Sequence, residues 1–350
     1  MTLPASTLGS GVGCAIAAGI MCGIFALPMK YLGRWQWENV WAIFILVSCV
    51  LMPLGFAWGT VPHLLEVLAA APAHAIVAAC TLGFAWGFGA IMFGQGVSAV
   101  GIAMSNTLVL AISASLGSFL PMLLLAPERL HRPQGHAVVA GTLIGIAGIV
   151  CCGYAGAIRE RSQKSEAGAL RGAMVGKART FSAGLLLCVG AGLLSAVLNI
   201  GYSAAQPILH AAIRFGSSSF AGSNAIWLLM LTCGAIPNLL FCGWLMAKNG
   251  SWSNYLQPAA GRLYGLTILM GMLWGGDIFL YGFASPKIGR LGPAIGWPLK
   301  LIAGLIAANA AGYLTGEWRL TPSRARRWMA AGLAVMLAAI VVLGWSSTLA

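Results

Sequence analysis

Charged side chains are scarce in this sequence of 350 residues. Asp, Glu, Lys and Arg together make up 8% of the chain, and only seven of these residues are acidic. Soluble domains carry about 25% charged residues, so the composition argues against an ordinary soluble enzyme or binding domain. The nine cysteines form no CxxC pair, and no Cys/His cluster has metal-ligand spacing. We therefore expect no metal site and no cofactor.

Long apolar runs are what the chain does contain. A bilayer core of about 30 Å needs about 20 apolar residues in a helix, and ten runs reach roughly that length. They predict an all-α membrane protein with ten transmembrane helices, whose partner is the lipid bilayer. The approximate bounds of the runs are 9–28, 40–59, 75–98, 103–125, 137–155, 182–204, 221–246, 263–285, 291–314 and 328–348.

The basic residues are distributed unevenly over the loops. Of the 20 Lys and Arg residues, fourteen lie in loops that follow odd-numbered runs, five lie in loops that follow even-numbered runs, and Lys300 lies inside a run. Loops rich in Lys and Arg face the cytoplasm. The bias predicts that the odd-numbered loops are cytoplasmic and that both termini are periplasmic. It also accounts for the net charge of +13 without nucleic acid as a partner.

The most basic segment, residues 158–180, divides the chain into two halves of five runs. We interpret 1–157 as a first repeat, 158–180 as a cytoplasmic linker and 181–350 as a second repeat. Residues 84–101 align with 272–289 without gaps, so that Trp-Gly falls on Trp-Gly. An odd number of helices separates the copies, so the two five-helix repeats are expected to be inverted, as in secondary transporters with a substrate site near the midplane.

Three stretches carry a resemblance to a known family: "FALPMKYLGRWQWENVW" (25–41), "WGFGAIMFGQGVSAVGIAMS" (86–105) and "GEW" (316–318). In this order and spacing they resemble the L-rhamnose–proton symporter family of the drug/metabolite transporter superfamily. The first stretch is the most specific, through Pro28, Lys30, Trp35, Trp37, Glu38 and Trp41. The resemblance implies ten helices, a bacterial inner-membrane location and uptake of a deoxysugar driven by a proton gradient. Neither a monomer nor a homodimer is favoured.

A sugar site needs a few placed polar groups in a mostly apolar, partly aromatic pocket. In the sixth run Ser195, Asn199, Tyr202 and Gln206 share one helical face. Asn199 centres this stripe, which predicts that it contacts substrate together with Tyr202 and Gln206. Hydrogen bonding between helices is an equally good interpretation of the stripe.

Aromatic and amide side chains on other runs complete the predicted substrate site. Trp86 and Phe93 share a face of the third run, and Asn106 opens the fourth. Trp274 and Tyr281 share a face of the eighth run. Trp and Tyr often anchor helices at membrane interfaces, but Trp274 lies too close to the middle of its run for that role.

Asp277 is the one acidic residue in the run "GMLWGGDIFLYGF" (271–283). Counted from Ile288 in the following turn, Asp277 lies 11 residues back and Lys300 lies 12 residues on. At about 1.5 Å per residue both lie roughly 16–18 Å from the turn, so they can face each other on antiparallel helices. Ionisable groups at membrane depth are costly, and they mark proton and substrate pathways. We predict that Asp277 and Lys300 couple transport to protons, with a static ion pair as the alternative.

Two further functions stay open from the sequence. The superfamily includes exporters of small metabolites and drugs, so the direction of transport is not fixed. An intramembrane enzyme would use Asp277 and Lys300 as a proton-transfer pair. The sequence offers it neither a second catalytic carboxylate nor a serine–histidine arrangement at membrane depth, so we do not expect an enzyme.

Overall fold

The computed structural model of the chain is built from helices. It describes residues 5–33, 35–100, 102–125, 127–168, 181–257, 260–316, 318–319 and 321–349, and these contain thirteen α-helices and no β-strand. The helices are α1 (Ala5–Ile24), α2 (Trp37–Ile45), α3 (Met52–Thr60), α4 (Leu64–Ala70), α5 (Ala73–Val100), α6 (Ile102–Leu125), α7 (Pro133–Gly168), α8 (Phe181–Ala204), α9 (Gln206–Arg214), α10 (Ser219–Asn249), α11 (Ala260–Ile288), α12 (Gly292–Leu314) and α13 (Ser323–Ser346).

Ten helical segments in the described ranges are long and apolar enough to cross a membrane, which confirms the predicted number. Two of these spans are composite. The π-helical segment Leu46–Leu51 joins α2 to α3, and a bend at Ala205 joins α8 to α9. Pro207 accounts for the bend, because a proline lacks the N–H that would continue the hydrogen-bond ladder of α8.

Several predicted boundaries differ from the structure, among them the end of the first helix and the beginning of the linker. The first helix ends at Ile24 rather than at residue 28. Pro28 cannot donate a hydrogen bond to the carbonyl of Ile24, and the chain continues as the 3₁₀ helix Leu27–Tyr31. At the predicted linker, α7 continues to Gly168, so the first part of the segment 158–180 is helical. Residues 169–180 lie outside the described residues.

The helix contacts of one half have counterparts in the other half. α5 of the first half packs against α8 and α10 of the second half. Its counterpart in the second half, α11, packs in the same way against α1 and α2 of the first half. The contact of α1 with α12 likewise has a counterpart in the contact of α8 with α6. The pair formed by α7 and α13 is its own counterpart. Exchanging the first five spans for the last five therefore leaves these contacts unchanged.

Glycines bring α1 and α12 into close contact. A Cβ atom at Gly23 would lie 2.2 Å from the carbonyl oxygen of Gly304, and one at Gly19 would lie 2.4 Å from the carbonyl oxygen of Lys300. Membrane helices associate through such small residues because lipid offers no hydrophobic drive for their association. The contact holds α12, and with it Lys300, against α1.

We expect Gly23→Ala to destabilise the protein by about 1–3 kcal/mol, because the added methyl group overpacks the contact between α1 and α12. Gly13→Ala is the matched control on the same helix, since a Cβ atom at Gly13 meets no atom within 4 Å. Thermal unfolding of the detergent-purified variants measures both changes. Equal unfolding temperatures for the two variants would contradict the close packing.

Candidate functional site

A cavity of about 200 Å³ lies between helices of the two halves. Residues of α1, α2, α5, α6, α8, α11 and α12 line it, and Phe25 adds to the wall directly after the end of α1. Ser195 and Lys300 are the polar exceptions in a largely apolar lining. Seven aromatic side chains are among the lining residues: Phe25, Trp41, Phe44, Trp86, Phe93, Trp274 and Trp297.

Two tryptophans form the centre of the aromatic wall. The rings of Trp86 on α5 and Trp274 on α11 stack with their centroids 5.3 Å apart and their planes 16° apart. Phe44 and Trp274 pack edge to face at a centroid distance of 5.9 Å. Trp86 itself fits against α10 only because Gly234 lacks a side chain, since a Cβ atom there would lie 2.7 Å from its ring. The wall presents rigid apolar faces to a bound molecule.

Asp277 and Lys300 form an ion pair beside this wall. The ammonium of Lys300 contacts Oδ1 of Asp277, as their equal depth on neighbouring helices predicts. Asp277 is fully buried and Lys300 is 2% exposed. Neither carboxylate oxygen accepts a hydrogen bond of regular geometry from the described residues, although the Cys22 thiol, a weak donor, lies beside them. The carboxylate therefore depends on Lys300 for its compensation.

Lys300 connects the buried carboxylate to the cavity. Its side chain lines the cavity, and Nζ lies 5.0 Å from the ring centroid of Trp297 and 5.5 Å from that of Tyr281. Cation–π contacts of this kind stabilise a desolvated ammonium. One side chain thus touches both the acid and the space that a solute would occupy.

The structure brings together part of the predicted substrate site. Trp86, Phe93 and Trp274 line the cavity with Lys300. The side chain of Asn106 lies outside the described residues.

The polar stripe of the sixth run extends beyond the cavity. Ser195 lines the cavity, while Asn199 and Tyr202 are fully buried next to it. Gln206 lies past the bend at Ala205 and lines a second cavity of about 350 Å³. The members of the stripe thus lie in three different environments: the central cavity, the buried layer beside it and the second cavity.

Asn199 and Tyr281 are engaged by protein groups. The Asn199 amide donates to the carbonyl oxygens of Gly117, at 2.6 Å, and Pro293, at 3.0 Å. Its Oδ1 accepts a hydrogen bond from the hydroxyl of Tyr281. Tyr202 stacks on Trp227 and shares a hydrogen bond with a serine of α10. A contact between Asn199 and substrate stays a prediction, and it requires that these bonds open.

Sequence reasoning missed several cavity residues. Phe25 and Trp41 lie within the stretch that carries the family resemblance, but the resemblance does not place either of them in the substrate site. Trp297 precedes Lys300 by three positions, so the helical period alone places the two on one face. Aromatic residues make up 9% of the chain, so one aromatic residue a helical turn away from a charged residue does not stand out in the sequence.

Comparison with known proteins agrees with the resemblance. Residues 6–347 match the model of the family described as L-rhamnose-proton symport protein (RhaT). The chain is 24% identical to the L-rhamnose-proton symporters of Yersinia pestis and Yersinia pseudotuberculosis, with 94% of each chain covered. It is 25% identical to the L-rhamnose-proton symporter of Pectobacterium atrosepticum at the same coverage. Since the family model spans nearly the whole sequence, the chain belongs to the L-rhamnose-proton symport protein family.

Proposed function

We propose that this protein carries L-rhamnose or a closely related deoxysugar, together with protons, into the cell across the bacterial inner membrane. The observation that carries the proposal is the position of Lys300, which lines the aromatic cavity and pairs with a carboxylate buried at membrane depth. Family membership and the names of the relatives support the choice of sugar and of the coupling ion.

The lining of the cavity suits a deoxysugar. Trp86 and Trp274, which line the cavity, offer apolar ring surface to the C–H face of a pyranose, and the apolar remainder of the wall accepts a methyl group in place of a hydroxyl. Ser195 and Lys300 supply donors for the ring hydroxyls. A fully hydroxylated hexose would bury one more polar group without an evident partner, which costs affinity.

Coupling between sugar and proton follows from the two contacts of Lys300. While Asp277 is ionised, its carboxylate holds the ammonium. When Asp277 takes up a proton the ion pair is lost, and the ammonium is released to donate hydrogen bonds to a sugar hydroxyl. Protonation then favours sugar binding, and by linkage sugar binding favours protonation to the same extent. A solute and a proton that help each other to bind are carried together.

The proposed architecture is a drug/metabolite transporter-like pair of inverted five-helix repeats with both termini in the periplasm. The exchange symmetry of the helix contacts supports the repeat, because α5 relates to α8 and α10 as α11 relates to α1 and α2. The charge bias of the loops supports the orientation.

Proteoliposomes test the function directly. We expect accumulation of labelled L-rhamnose when an inward proton gradient is imposed and only equilibration without one. The corresponding sugar with a hydroxyl group on C6 is the matched competitor and should inhibit less. Gradient-driven loss of a preloaded metabolite or drug, without sugar accumulation, would indicate an exporter instead.

We expect Asp277→Asn to abolish gradient-driven accumulation while sugar binding and exchange persist. In the wild type, sugar binding should tighten as the pH falls, because protonation of Asp277 frees Lys300; in the variant it should be independent of pH. Quenching of tryptophan fluorescence reports binding, since Trp86 and Trp274 line the cavity. Glu66→Gln, an exposed acid-to-amide change, is the control. Accumulation by Asp277→Asn against a sugar gradient would remove Asp277 from the coupling mechanism.

We expect Lys300→Ala to destabilise the protein more than the double change Asp277→Asn with Lys300→Ala. Breaking a buried pair by removal of one partner costs about 3–5 kcal/mol, because the other charge stays buried alone, whereas the double change leaves no charge. Thermal unfolding at neutral pH gives the order. Lys287→Ala, at the end of α11, controls for the loss of a lysine. A double variant less stable than Lys300→Ala would contradict this account of the pair.

Impermeant thiol labelling in a cysteine-free background tests the orientation. We expect a cysteine at His63, in the turn before α4, to react in intact cells, because that loop follows an even-numbered span. A cysteine at Ser165, in the basic segment, should react only after permeabilisation. The reverse pattern would invert the proposed topology.

A further inference from the structure

Lining residues follow the same order along three neighbouring segments. On α8–α9, Ser195 lines the central cavity, Asn199 and Tyr202 are fully buried, and Gln206 lines the second cavity. On α11 the same order runs from Trp274 through Tyr281 to Ser285.

On α12 two residues give the same direction. Trp297 lines the central cavity, and Pro293 lines the second cavity. The second cavity, called the vestibule from here on, lies at the end of the molecule that carries the turn between α11 and α12. This turn follows an even-numbered span. A layer of buried side chains therefore separates the central cavity from the vestibule.

Three prolines weaken the backbone ladders of this layer. Pro121, Pro286 and Pro298 lie inside α6, α11 and α12. A proline has no N–H, so each removes the helical donor of the carbonyl four residues earlier. The carbonyls that lose their donors belong to Gly117, Gly282 and Ala294.

Each released carbonyl accepts a hydrogen bond from a side chain of another helix. Asn199 on α8 donates to Gly117 at 2.6 Å, and Ser118 on α6 donates to Ala294 at 2.6 Å. Ser223 on α10 donates to Gly282 at 3.1 Å. These three side chains, with Tyr202 and Tyr281, are called the barrier. In a lipid environment such bonds are the alternative to unsatisfied backbone, so they tie the helices together.

Asn199 holds the most connections in the barrier. Besides Gly117 it donates to the carbonyl oxygen of Pro293 at 3.0 Å, and it accepts from Tyr281. It thereby joins α6, α8, α11 and α12, and it uses both amide hydrogens and its oxygen. The ring of Tyr281 lies 5.5 Å from that of Trp297 in the cavity wall.

We propose that the barrier is the gate between the vestibule and the sugar site, that Asn199 is the residue that keeps it closed, and that the vestibule receives the sugar on its way through the gate. This inference rests on the proposed function and assigns a path to it. The vestibule suits a polyhydroxylated solute, since Gln206, His210, Ser219 and Ser285 line it.

Opening the gate breaks hydrogen bonds of the barrier side chains and leaves the backbone hydrogen bonds within the helices intact. Helices bend at prolines, so Pro121, Pro286 and Pro298 are the points at which α6, α11 and α12 can move. The released carbonyls and the barrier side chains then find donors and acceptors on the sugar or on water that enters with it. In the structure the gate is closed, and the barrier separates the central cavity from the vestibule.

The rate of thiol labelling at the central cavity tests the gate. A cysteine at Ser195 in a cysteine-free background is reacted with an impermeant maleimide from the vestibule side, which a cysteine at His63 identifies independently of the proposed topology. We expect Asn199→Ala to raise this labelling rate at least about tenfold, because each lost hydrogen bond shifts the gate toward its open state. Ser118→Ala and Ser223→Ala should raise the rate less, because each serine joins three helices whereas Asn199 joins four.

Asn238→Ala is the matched control. Asn238 is fully buried, donates to the carbonyls of Gly87 and Gly234 and accepts from Trp41, but it joins α2, α5 and α10 outside the barrier. We expect no rise in labelling from the vestibule side for this variant. An equal rise in Asn238→Ala, or wild-type rates in all three barrier variants, would overturn the gate. If Asn199→Ala does not fold, Ser118→Ala and Ser223→Ala decide. The assay needs no sugar, so it can fail while proton-coupled uptake is intact.

Discussion

The interior of a bilayer offers no water to satisfy a polar group, and this constraint organises the whole structure. Helical ladders satisfy most of the backbone, and the exceptions require partners from other helices. Pro121, Pro286 and Pro298 each leave a carbonyl without its helical donor, and a side chain of a neighbouring helix donates a hydrogen bond to it instead. The carboxylate of Asp277 likewise depends on another helix, because Lys300 of α12 forms an ion pair with it. The positions where the ladder or the charge balance fails are thus the positions where the tertiary structure is fixed.

Glycines allow helices to pack closely, and tryptophans line the space that stays open between them. At Gly83 and Gly87 of α5 a Cβ atom would lie 2.2 Å from the carbonyl of Met230 and 2.4 Å from that of Gly234, so α5 and α10 pack backbone to backbone. Trp86, one residue before Gly87, turns toward the cavity and stacks on Trp274. Bulky rings next to close helix contacts hold neighbouring helices apart on one face only. A cavity between the halves follows from this alternation.

The sequence permits prediction of the spans and of the charged pair, but not of the barrier. Apolar length and helical rise are local quantities, so the number of spans and the equal depth of Asp277 and Lys300 follow from counting. The face on which Asn199 lies also follows from counting. Its partners do not, because the carbonyl that Pro121 releases is found by a donor 82 residues away in the chain. The spacing of the sixth run therefore predicts a polar stripe correctly without distinguishing a sugar ligand from a link between helices.

Trp297 gives the central cavity a physical connection to both the ion pair and the gate. Its ring lies 5.0 Å from the Lys300 ammonium and 5.5 Å from the ring of Tyr281. Gly117, whose carbonyl oxygen accepts a hydrogen bond from Asn199, leaves room for the ring, since a Cβ atom there would lie 2.5 Å from it. A solute that moves this ring changes the surroundings of the ammonium and of the barrier together. Only a ligand that binds one state of the gate more tightly than the other can shift the gate. In the proposed mechanism, protonation of Asp277 releases Lys300 beside Trp297 and so alters the sugar site. The sugar then shifts the gate only to the extent that this altered site binds it more tightly with the gate open than with the gate closed.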